Sequence, residues 1–149
     1  MIPLVKKATP AAIAVLRQAT ALRPKRKKAS DGLLPSAAHI KQNPNSDHNS
    51  GFAVDLTHDP LNGVDCFVLF QKLRADKRVK YLIFSGRIWS VEKGEHEYTG
   101  PNKHPHHIHI SIKENCGNDT KPWFPWLGSI KTIAKVKAAV APLPKKEIK

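Results

Sequence analysis

Residues 107–113 read HIHISIK, and the alternation of that stretch decides the fold. Side chains of an extended chain point alternately to opposite faces. His107, His109 and Ser111 therefore share one face, and Ile108, Ile110 and Ile112 share the other. An apolar face of this kind lies on a core. A face of imidazoles and a hydroxyl is free to build a site. The stretch predicts a strand that is buried on one side and chemically equipped on the other.

Working outward, FAVDLT (52–57) also alternates with period two and predicts a second strand. VKYLIFS (79–85) is a compact apolar run and predicts a buried one. A turn at Gly86 leads to a short strand, RIWSV (87–91). Helical spacing of apolar residues appears over residues 8–22, at Ala11, Ile13, Ala14, Leu16 and Leu22. It recurs over residues 64–78, at Val64, Phe67, Val68 and Phe70, with Asp65 and Asp76 flanking. The basic RPKRKKASDG (23–32), the Asn/Ser/Pro-rich 33–50 and the polar EKGEHEYTGPNKHP (92–105) read as loops. From residue 115 the composition turns aromatic and Pro-rich, then basic: IKTIAKVKAAVAPLPKKEIK (130–149) has an amphipathic pattern. The expectation is an α+β fold: a small antiparallel sheet flanked by helices, with a basic C-terminal amphipathic helix. Residues 1–114 would form the principal domain, and 115–149 an extension packed on it.

The equipped face gains meaning from SDHNSGFAVD (46–55). A hydrolytic zinc site needs three protein ligands and one open position. His48 falls in a loop before a strand, and Asp55 on that strand. Gly51 allows the backbone to bend between them, and Ala53 shares the face of Asp55 without crowding it. His107 and His109 stand about 7 Å apart along their strand, so only one can be a close ligand of the same ion. His109 is assigned as ligand and His107 as the catalytic group. His106, three residues before His109, sits where the strand begins and could border the cleft. His104 receives no role, and His39, His58 and His96 lack a comparable context.

Composition limits the setting. The chain has 149 residues, a formal charge of +13 and a pI near 10, which favours polyanionic partners: nucleic acid, anionic lipid or a bacterial surface. Cys66 and Cys116 are far apart without CxxC spacing and are expected as thiols. No apolar run approaches the length of a transmembrane helix. The run AAIAVL (11–16) is too short for a secretory signal, so synthesis in the cytoplasm is expected.

Ser46-x-His48-x-x-Gly51-x-Ala53-x-Asp55, followed by His-x-His, resembles the D-Ala-D-Ala carboxypeptidase and L-Ala-D-Glu endopeptidase family of zinc peptidases. That family is grouped with lysostaphin-type and hedgehog-type proteins. The resemblance runs over about residues 20–113, through SDGLLPSAAHIKQNPNSDHNSGFAVDLTHDP and EYTGPNKHPHHIHISI, and is especially to phage and bacterial members. It implies His48, Asp55 and His109 as Zn²⁺ ligands and His107 as a catalytic residue. Many members carry Glu or Asp three residues before the last ligand as general base; here that position is His106. Arg26 stands where relatives often have an arginine, which could bind a substrate carboxylate, and Ser46 is a second candidate for substrate binding. The implied activity is cleavage of the peptide stem of peptidoglycan, most often at L-Ala-D-Glu, by a monomeric phage-type endolysin. Such an enzyme waits in the host cytoplasm until it reaches the wall. The basic C-terminal segment would suit an anionic outer membrane or lipid surface. Three rivals remain: a nucleic-acid-binding protein or metal-dependent nuclease, a non-catalytic zinc module, and a membrane-active cationic protein. Against the first, the constellation is mainly imidazole rather than the oxygen-rich set that Mg²⁺ prefers, and no specific nucleic acid is expected.

Overall fold

A computed structural model describes residues 7–35, 40–41 and 43–127. The C-terminal amphipathic helix expected within 128–149, and His39, lie outside the described residues. The class is α+β. Among the described residues, five strands form one antiparallel sheet: β1 (Ala53–Thr57), β2 (Val79–Phe84), β3 (Arg87–Ser90), β4 (Gly94–Glu97) and β5 (His107–Ile112). Their spatial order is β1-β5-β2-β3-β4, which puts β5 between β1 and β2.

Helix α1 (Pro10–Leu22) begins where Thr9 caps it, its side chain accepting from the Ala12 N–H at 3.3 Å. Pro10 follows in the first turn, where its missing N–H costs nothing. Ala11, Ala14, Val15, Ala19 and Leu22 form the buried stripe. Helix α2 (Cys66–Lys72) is capped by Asp65, which accepts from the Phe67 N–H at 2.9 Å. It is shorter than the 64–78 expected from spacing. A 3₁₀ turn, Leu73–Ala75, follows. Asp76 then takes the Arg78 N–H at 2.9 Å and the Arg78 guanidinium at 2.7 Å, holding the chain out of helical register.

The isoleucines of β5 are fully or almost fully buried, together with Val54, Leu56, Leu82 and Phe84. Helices α1 and α2 lie against this face. Trp123 and Phe124, well past residue 114, belong to the same core. The Trp123 indole N–H donates to the Ala11 carbonyl at 3.1 Å, and the Arg78 guanidinium covers its ring at 3.6 Å. Burying side chains of this size stabilises by roughly 1.5–3 kcal/mol each, so the 115–127 segment helps to close the core.

Residues 92–105 are not all loop as the sequence suggested. Gly94–Glu97 pairs with β3 in register, Trp89 opposite Glu95 and Arg87 opposite Glu97. This edge strand is polar on both faces and is held by main-chain bonds and by Glu95, which pairs with Arg74 and Arg87. Among the described residues, no helix is long and apolar enough to cross a membrane.

Candidate metal centre

The register of β1 on β5 puts Asp55 directly opposite His109 and Ala53 opposite Ser111. All four therefore point away from the core. The second partner strand sets Tyr81 opposite Ser111 on that same face. His48 arrives from a 3₁₀ turn, Asp47–Ser50, capped by Ser46, whose hydroxyl accepts from the His48 N–H at 3.3 Å. Gly51 ends the turn at φ 82°, a left-handed conformation that suits glycine, and aims the chain into β1. Gly32 lies beside Asp55 through two main-chain bonds of 2.8 and 3.0 Å, and a Cβ there would stand 3.3 Å from Asp55 Oδ2.

His48, Asp55 and His109 thus converge, with one ligand atom from each lying within 4.8 Å of the others. Asp55 Oδ1 is 3.1 Å from His48 Nε2 and 3.3 Å from His109 Nδ1. Atoms bound at about 2.0–2.1 Å in a tetrahedral zinc shell stand about 3.3 Å apart. The outer nitrogens are also engaged. His48 Nδ1 meets the Leu33 carbonyl at 2.8 Å, and a carbonyl only accepts, so Nδ1 carries the proton. The lone pair of the neutral His48 ring then faces Asp55. A carboxylate and an imidazole lone pair at this distance repel each other unless a cation, either a proton or a metal, stands between them. The three residues can therefore hold a metal ion.

The electrostatics carry the same signature. Burial alone would raise the Asp55 carboxyl, but hydrogen bonds from His109 and His48 outweigh it and hold that carboxyl far below the usual carboxylate range. Burial likewise works to lower His48, yet Asp55 and the Leu33 carbonyl raise it above its ordinary value.

A cleft of about 830 Å³ opens over this floor. His107 lines it, with Nε2 at 3.6 Å from Asp55 Oδ2, and burial pushes its imidazole down from the ordinary value. Ser46 also lines the cleft, besides capping the His48 turn. His106 does not. It is exposed and falls on the opposite parity of the strand from His107 and His109, while its carbonyl accepts from the His58 N–H at 2.9 Å. Arg26 is likewise away from the cleft. Its side chain is 1% exposed and is spent on Asp31, through two bonds of 2.8 and 3.0 Å, and on Thr20. The arginine expected to meet a substrate carboxylate is a buried structural ion pair.

His104, which had no expected role, does line the cleft. Its ring lies 4.9 Å from that of His107 and 5.8 Å from that of His109. It adopts φ 56°, unusual for a residue with a side chain. That conformation is held by Asn102, whose side chain takes the His104 N–H at 3.0 Å and whose carbonyl meets Nδ1 at 2.7 Å. Burial, with His109 and His107 nearby, pushes His104 down to about 4. Tyr81 and Tyr98 complete the walls, the Tyr81 ring stacked on His109 at 5.3 Å. Burial pushes the Tyr81 phenol up to about 12, so it keeps its proton. The 98–104 loop is tied to the β2–β3 turn, Ser85 N–H to the His104 carbonyl at 3.0 Å and Tyr98 N–H to the Gly86 carbonyl at 2.8 Å. His58 is structural: its Nδ1 accepts from the Cys66 N–H at 3.0 Å, at the start of α2. No protein-family model, curated protein or solved structure matches the chain.

Proposed function

We propose that this chain is a zinc-dependent peptidase that cuts the peptide stem of peptidoglycan, most often between L-Ala and D-Glu, as a phage-type endolysin does. The observation that carries the reading is the convergence of His48, Asp55 and His109 on the floor of a cleft that His107 also lines. The donor set, two imidazoles and one carboxylate, suits Zn²⁺ with a position left open for catalysis. Bound there, zinc would polarise the scissile carbonyl and acidify water.

The remaining work falls to the chain's own groups. His107 is kept neutral by burial, so near neutral pH its free nitrogen takes a proton from the attacking water and returns it to the leaving amine. In this role it stands in for the carboxylate that relatives place three residues before the last ligand. His104 and Tyr98 wall the cleft on the loop side and orient the peptide. Ser46 borders it from the His48 turn. The surplus of positive charge favours approach to an anionic wall.

The test is digestion of purified peptidoglycan with the zinc-loaded protein, with mass spectrometry of the products. New L-Ala carboxyl and D-Glu amino termini are expected, lost on chelation and restored by Zn²⁺. An undigested wall at full zinc occupancy would overturn the reading.

A further inference from the structure

We propose that His104 is a substrate-binding residue: its Nε2 accepts an N–H from the peptide backbone, at a secondary amide flanking the scissile bond. The identity of the ligand rests on the peptidase reading; the clamp that presents the nitrogen does not.

His104 ends the 98–104 loop at φ 56°, in the left-handed region that residues with side chains avoid. Strained backbone of this kind persists only where its surroundings over-determine it. Here four hydrogen bonds do so. The Asn102 side chain accepts from the His104 N–H at 3.0 Å, and the Ser85 N–H donates to the His104 carbonyl at 3.0 Å. The Gly86 N–H donates to the carbonyl of the preceding residue, Lys103, at 2.9 Å. The fourth bond holds the ring itself, with Nδ1 2.7 Å from the Asn102 carbonyl. A carbonyl only accepts, so Nδ1 carries the proton of the neutral ring and Nε2 keeps a lone pair. Nε2 is at the outer end of the ring and meets no hydrogen-bond partner among the described residues.

The Tyr98 and His107 rings stand edge-to-face with this imidazole, at 5.7 and 4.9 Å, and fix its plane. All three line the cleft. The result is a rigid acceptor, oriented before any ligand arrives, which lowers the ordering cost of binding. Its complement is a donor, and a peptide offers one at every secondary amide. An extended strand advances about 3.3 Å per residue. The His104 ring lies 5.8 Å from that of His109 at the centre, less than two residues of such a strand. The amide it meets is therefore next to the bond that is cut.

The experiment uses the zinc-loaded full chain and three synthetic stem peptides: the parent, and two analogues N-methylated at the amide before or after the scissile bond. His104→Asn tolerates the left-handed backbone and keeps the main-chain bonds of the loop, but removes Nε2. On the parent its kcat/KM is expected to fall about 5–100-fold, the cost of leaving one donor unpaired, with zinc content unchanged. On one methylated analogue the wild type and the variant should become equal. A loss by the same factor on all three peptides would make His104 a support of the loop alone and overturn the proposal. His104→Gly, which adopts this φ without strain, gives the same comparison should the asparagine variant not fold. Should the wild type cleave none of the peptides, the peptidase reading fails, and nitrogen-15 NMR of the His104 ring decides the proposal by binding alone. An Nδ1–H ring whose Nε2 signal moves with the parent and not with one methylated peptide would uphold it. An Nε2–H ring, or a signal that no peptide moves, would overturn it.

Discussion

Asp55 and His109 face each other across β1 and β5 as register partners, with 3.3 Å between Oδ1 and Nδ1. His107 is two residues away on the same face, 3.6 Å from the other oxygen of the same carboxylate. This shared carboxylate separates two roles that the His-x-His motif presents side by side. His109→Ala and Asp55→Ala are each expected to drop metal content from about one ion per chain to nearly none. His107→Gln should keep the ion and lower kcat about 10²–10⁴-fold, the usual contribution of a proton-transferring group. Metal analysis beside single-turnover rates checks this, and a fully loaded His109→Ala protein would remove that histidine from the ligand set.

A second prediction concerns protons in the metal-free centre. His48 is raised above its ordinary value of 6.5 even though burial opposes the shift, because Asp55 and the Leu33 carbonyl favour the charged ring. A raised histidine stabilises the folded metal-free protein fully below the unfolded value and loses that contribution as pH rises through its folded value. Metal binding has the opposite slope, since the proton must leave before the ring can coordinate. Zinc affinity should therefore climb as pH rises above about 6.5. Ring titration by NMR should show His48 falling in Asp55→Asn; an unchanged midpoint would show that Asp55 is not its partner.

How much of this was legible in the sequence depended on where the determining force acts. The strands β1 and β5 were readable because burial on one face stamps period two on VDLT and HIHISI. His48, Asp55 and His109 were readable because a turn and two alternating strands constrain their spacing. Strand β4, GEHE, was not, because an exposed edge is held by its main chain and has no apolar face to display. The end of α2 was obscured because Asp76 and Arg78 stop it through side-chain bonds that periodicity does not contain. His106 could have been set aside from parity alone: it belongs with Ile108, not with His107. His104 could not have been found that way, since a loop folded by Asn102 and the β2–β3 turn brings it to the cleft. The burial of Arg26 was hidden because a basic run gives no sign of which of its charges is buried.

A third prediction distinguishes the two thiols. Cys66 is fully buried behind β1, and burial pushes its thiol up to about 12. Alkylation requires the thiolate and access to it, so Cys66 should be inert in the folded protein. Cys116 is half-buried on the 3₁₀ turn after β5 and should react. Intact-mass analysis after iodoacetamide is expected to show one adduct under native conditions and two in denaturant. Two adducts under native conditions would contradict the burial of Cys66.

The last prediction turns on what Arg26 is for. Its guanidinium is bonded to Asp31, and Asp31 in turn accepts from the Thr57 N–H at 3.1 Å and the Thr57 hydroxyl at 2.7 Å. The pair therefore ties the basic loop to the end of β1, and thereby sets Gly32 against Asp55. Removing one member of a buried pair strands the other charge and costs about 3–5 kcal/mol, so Arg26→Ala should unfold at a markedly lower temperature. Arg26→Lys should recover only part of this, because a lysine cannot make the two-pronged contact. The folded Arg26→Lys protein should bind zinc normally and show an unchanged KM. A KM raised tenfold or more at unchanged stability would restore Arg26 to the substrate.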